Sequence, residues 1–165
     1  MKNESSKTFN NYLFNKSVLQ YGIPTAVLCL IIYFFITKEP LPIQNIGSDL
    51  VLSVLITVFI CAITAIFGIR SDLKKGIIPE VESSGSAHPI FRIIPHNAVL
   101  HALLIAAVAS ILFAVIPGCI GYTIAALGVK ASIPATPWFI IKSLYSGAFT
   151  AISMAVVTSA VAHEA

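Results

Sequence analysis

The chain has 165 residues, 57% of them hydrophobic and only 10% charged, against roughly 25% charged in an ordinary soluble domain. That excludes a conventional soluble fold, and a net charge of +3 scattered along the chain is too weak to imply a nucleic-acid partner. Cys29, Cys61 and Cys119 lie singly in apolar segments with no Cys-x-x-Cys spacing, so they signal neither a disulfide framework nor a zinc site and read as small core residues.

The polar start "MKNESSKTFNNYLFNKSV" reads as a tail, or as a short amphipathic turn carrying Phe9, Tyr12, Leu13 and Lys16 along a membrane surface. The first apolar run, about 18–37, is long enough for a bilayer core of roughly 30 Å. Polar residues precede it and no small-x-small cleavage site follows it, so it is expected to stay in the mature protein. Pro24 should bend this helix. A short, proline-stiffened loop follows, in which Ser48 or Asp49 can cap a second helix at about 49–69.

The segment 70–96 contains "ESSGSAHP", which is too polar and Gly/Ser-rich to bury anything and reads as a linker between two helical hairpins. The third helix is expected at about 97–116. Unbroken to Val129, a helix from Ala98 would rise about 48 Å, too far for one crossing without a steep tilt. Pro117-Gly118 falls after roughly one full crossing and is expected to end the helix. The remainder, 119–129, should then form an apolar half-helix on the outer face or a re-entrant segment, and re-entry would imply a sheltered pathway. The fourth helix, about 137–162, starts with Pro137 at a good first position and Trp138 as an interfacial anchor.

Lys and Arg fall seven to two on the flanks of these spans: Lys2, Lys7, Lys16, Arg70, Lys74, Lys75 and Arg92 against Lys38 and Lys130. The positive-inside rule then places both termini in the cytoplasm of a multi-pass cell-membrane protein. Small residues recur every fourth position at Ala98, Ala102, Ala106, Ser110, Ala114 and Gly118 in the third helix and at Ser143, Gly147, Ala151, Ala155 and Ser159 in the fourth. A third set runs through Ser53, Thr57, Cys61 and Ala65 in the second. Such ridges permit close helix approach where the hydrophobic effect gives no drive, and the third and fourth helices are expected to cross through theirs.

Ionisable residues inside spans are costly and are functional candidates. Lys142 either snorkels to the outer interface, pairs with Asp49, or binds an anionic solute. Asn97 and His101, one turn apart with His96 beside them, form a polar mouth whose roles range from helix capping to proton relay. His88, His96, His163 and Glu164 match no metal spacing, so no metal or cofactor is expected. The tyrosines and Trp138 read as interfacial anchors. No phosphate loop or nucleophile elbow occurs, which leaves enzyme activity without support. The expected fold is a single all-α, four-helix integral membrane domain over 1–165. Two functions follow: a permease or channel-like subunit for a small solute, or a non-transporting accessory protein that binds another membrane protein through its small-residue faces. Its partners would be the lipid bilayer and either further copies of the chain or a membrane protein.

Overall fold

The computed structural model describes residues 2–36, 39–78, 97–128 and 131–162. They form four long helices. α1 runs without a break through Lys2–Phe14, a π-helical segment Asn15–Gly22, and Ile23–Ile36. A 3-10 turn, Ile43–Asn45, leads into α2, Ile46–Lys74. α3 comprises Ala98–Ser110, a π-helical segment Ile111–Val115, and Ile116–Ala126, and α4 is Ala135–Ala162. All four are long and apolar enough to cross a membrane. Two short strands, β1 (Leu41–Pro42) and β2 (Ser132–Ile133), pair antiparallel and tie together the α1–α2 and α3–α4 connections. We call that the loop end of the bundle and the opposite one the terminal end.

Local chemistry explains the helix ends. Asn97 caps α3, its Oδ1 accepting from the backbone N–H groups of Val99 and Leu100 at 3.0 and 3.3 Å, which satisfies two donors that the first turn leaves open. α2 stops at a left-handed Gly76 (φ +66°). There Gly76 N–H donates to Leu73 O and Ile77 N–H to Asp72 O, both at 3.0 Å, the bond pair of a Schellman stop.

Two expectations about α1 and α3 are corrected. The polar N-terminal segment is already helical from Lys2, continuous with the apolar run. Pro117-Gly118 does not end α3, and 119–126 is neither a separate outer half-helix nor re-entrant; it completes one helix that ends at Ala126. An internal proline removes a donor and crowds the carbonyl four residues back, here that of Phe113. The π segment loosens the turn at that point, and the Tyr145 hydroxyl donates to Phe113 O at 2.9 Å, supplying the bond that Pro117 cannot. Pro24 in α1 likewise follows directly on a π segment. Gly118 serves packing: a Cβ there would lie 2.5 Å from the Gly47 Cα, so the two glycines let α3 and α2 touch backbone to backbone.

The packing order also differs from the chain order. α2 packs along α3, α4 packs along both α1 and α2, and α3 and α4 meet only sparsely. The ridges are therefore used, but with other partners than expected. Ala102 and Ala106 are buried in the core formed with Val54, Val58, Ala62 and Ile66 of α2. Ser110 is buried as well, its hydroxyl bonded back to Ala106 O at 2.8 Å. Gly147 and Ala151 face Gly22 and Ala26 of α1, and a Cβ on Gly147 would lie 2.7 Å from that of Ala26; Ala155 is half-buried further along. Where α3 and α4 do meet, the rings of Phe113, Tyr145 and Phe149 cluster with centroids 5.7 to 6.4 Å apart, a spacer too bulky for small-residue crossing.

Candidate functional site

The backbones of α1 and α2 are consecutive in sequence, yet long polar side chains bridge them rather than close backbone contact. On α1 the bridging residues are Tyr12, Lys16, Tyr21, Thr25, Cys29 and Tyr33, each four residues after the last except for one five-residue step from Lys16 to Tyr21. That step lies within the π segment Asn15–Gly22, whose wider turn absorbs the extra residue and keeps the stripe on one face. α2 contributes Asp49, Ser53, Cys61, Thr64 and Asp72. From Asp49 to Asp72 the helix rises about 35 Å, comparable to the roughly 30 Å of a hydrocarbon core.

At the loop end, Lys142 Nζ of α4 lies 2.8 Å from Asp49 Oδ2, and the Trp138 indole N–H donates to the same oxygen at 3.0 Å. The ammonium also sits 4.4 Å from the Tyr33 ring centroid, a cation-π distance. The Tyr33 hydroxyl donates to Ser53 Oγ at 3.3 Å, and Ser53 donates to Asp49 O at 3.0 Å. Cys29 and Ser146 stand beside that hydroxyl. Deeper in, Thr25 Oγ1 and Cys61 Sγ are 3.8 Å apart, with Cys29 neighbouring Cys61. Tyr21 follows, beside Thr64 and Cys61. At the terminal end Lys16 Nζ lies 2.7 Å from Asp72 Oδ2, and the Tyr12 hydroxyl donates to the same oxygen at 2.8 Å. Lys16 and Tyr21 lie over Gly68 of α2, where a Cβ would make ordinary contact with the ammonium at 3.8 Å and the phenol oxygen at 4.0 Å.

Of the residues singled out in the sequence, Lys142 and Asp49 meet, with Lys142 only 6% exposed, paired within the bundle rather than extended to its surface. Asn97 and His101 lie at the other end of the bundle, on α3. Asn97 is the cap described above, and His101 is fully buried in the interior. His96 lies outside the described residues, as do His88, His163 and Glu164. Among the described residues no three His, Cys, Asp or Glu side chains gather as metal ligands would.

Reading single residues missed the seam itself. Tyr21 and Tyr33 pass for interfacial anchors, Cys29 and Cys61 for core, and Tyr12 and Lys16 for an amphipathic tail. The signal that could have found them is the 4-5-4-4-4 spacing of polar groups through an otherwise apolar helix. No protein-family model matches the chain, nor does any curated protein or solved structure.

Proposed function

We propose that the chain spans a membrane four times, with both termini cytoplasmic, and acts as a permease or channel-like subunit whose path is the seam between α1 and α2. The observation that carries this reading is the run of polar side chains joining two ion pairs about 35 Å apart along α2. Polar and ionisable groups at membrane depth are costly and mark solute or ion pathways, and a scaffold has no need of a stripe kept in register through a π segment. Four helices enclose little space, so the working form is a homo-oligomer or a complex with another membrane protein.

Purified protein in proteoliposomes should pass at least one species from a panel of small neutral solutes, ions and protons. Thr25→Phe, which fills the middle of the seam, should stop that flux while the protein still assembles. Absence of flux for every species, protons included, would overturn the reading. Reporters fused to the two termini should both respond from the cytoplasm, and an external C-terminus would reverse the topology.

The second reading, an accessory protein that holds a membrane partner, draws on the apolar groove between α3 and α4, lined by Ile105, Val108, Leu112, Ile152 and Val156. A stable partner complex from which no flux arises would favour it.

A further inference from the structure

Resting on the seam as the path, we infer that the species it carries is the proton. Between the end pairs every bridging group is a hydroxyl or a thiol: Tyr33, Ser53, Cys29, Thr25, Cys61, Thr64 and Tyr21. Each can donate and accept in turn, as hopping requires, and none carries a fixed charge that would trap or repel a proton midway. The spacing points the same way. With 3.3 Å between Tyr33 and Ser53 and 3.8 Å between Thr25 and Cys61, side chains close the seam at these two levels, so a solute would have to part the helices there, whereas a proton needs only a neighbouring lone pair. At each end a carboxylate pairs with the ammonium, and at the terminal end Asp72 also lies within reach of the Lys75 charge.

A second set of groups lies alongside on α4. Ser146, Thr150 and Thr158 are at most 1% exposed; the hydroxyls of Thr150 and Thr158 have no hydrogen-bond partner among the described residues, while that of Ser146 adjoins the Tyr33 phenol. Ser146 and Thr150 follow Lys142 at four-residue steps on one helix face. The Tyr33 phenol meets the Cys29 thiol directly, and Cys29 in turn neighbours Cys61. In each hop an O–H or S–H bond forms on the side of arrival while the group's own bond breaks on the side of departure. No electrons change hands, and rotation of the hydroxyl or thiol resets it.

The test uses the full chain in phospholipid vesicles holding a trapped pH dye, with a potassium gradient and valinomycin to drive protons inward. The internal pH should fall faster than in protein-free vesicles, and Tyr33→Phe and Cys61→Val should each slow it about tenfold or more, the effect of about 1.4 kcal/mol on a barrier. Leu28→Ala, on the exposed face of α1, should leave the rate unchanged. Helix content and elution volume identify any variant that misfolds, in which case Thr25→Val replaces it. Vesicles that pass glycerol or urea but not protons would overturn the proton while leaving the seam as a path. Failure to pass any species would remove both. Proton flux indifferent to both Tyr33→Phe and Cys61→Val would place the route elsewhere and also overturn the inference.

Discussion

The two ion pairs at the ends of α2 have the same members but opposite distributions of risk. At the loop end the cation is deep and the anion open: the Lys142 side chain is 7% exposed and that of Asp49 31%. At the terminal end the two are nearly level, Lys16 at 13% and Asp72 at 19%. The helix dipole sharpens the contrast. Asp49 stands in the first turn of α2, where a negative charge is favoured, while Asp72 stands near its C-terminus, where a negative charge is disfavoured. An ion pair is thus not a unit of stability. What matters is which charge is left behind when the other is removed, and how deep and how well placed that remaining charge is.

The largest expected effect follows from stranding the deep cation. Asp49→Ala should destabilise the purified protein by about 3 to 5 kcal/mol, the range for an uncompensated buried charge, read as a loss of thermal stability in detergent or nanodiscs. Adding Lys142→Met should recover most of that loss, because replacing both members of a buried pair is often close to neutral. An Asp49→Ala protein as stable as the parent would mean that Lys142 reaches solvent, and the contrast between the ends would collapse.

At the terminal end Lys16→Met leaves a carboxylate that retains the Tyr12 hydrogen bond but sits against the dipole. We expect a loss of about 1 to 2 kcal/mol, between the cost of breaking an exposed pair and that of leaving a buried polar group short of a partner, because Asp72 is only half-buried. If Lys16→Met exceeded Asp49→Ala, depth would not be what sets the order, and the dipole term would have to be larger than the usual 0.3 to 1 kcal/mol.

Four apolar helices were legible in the sequence because the signal is additive over some twenty residues and depends on no distant contact. The Asp49 and Lys142 pair was within reach for a related reason: both residues fall near the same end of their helices. Pro117 was misread because its compensation comes from Tyr145, 32 residues after the carbonyl it serves, and a proline rule applied locally cannot include a donor from another helix. The ridge partners were misassigned for a similar reason. Every-fourth spacing states that a helix face is small, but the face opposite is decided by the bulk of Phe113, Tyr145 and Phe149, which hold α3 off α4. The seam stayed hidden because its α1 stripe is periodic only once the π segment is known, and a search at strict four-residue spacing loses register between Lys16 and Tyr21.

The smallest expected effect is the most discriminating one. Lys142→Met removes the deep member of the loop-end pair, and what remains is Asp49, one-third open, at a helix N-terminus and still bonded to the Trp138 indole. A methionine fills nearly the volume of the lysine stem and continues to pack on Tyr33. The loss should be no more than about 1 kcal/mol, in line with a partly exposed pair, although Lys142 is the more buried residue of the two. A ranking by burial alone predicts the reverse, with Lys142→Met costing more than Asp49→Ala. Measuring both in the same membrane mimetic separates the two accounts, and a larger loss for Lys142→Met would show that its ammonium stabilises the bundle through Tyr33 and the seam rather than through Asp49.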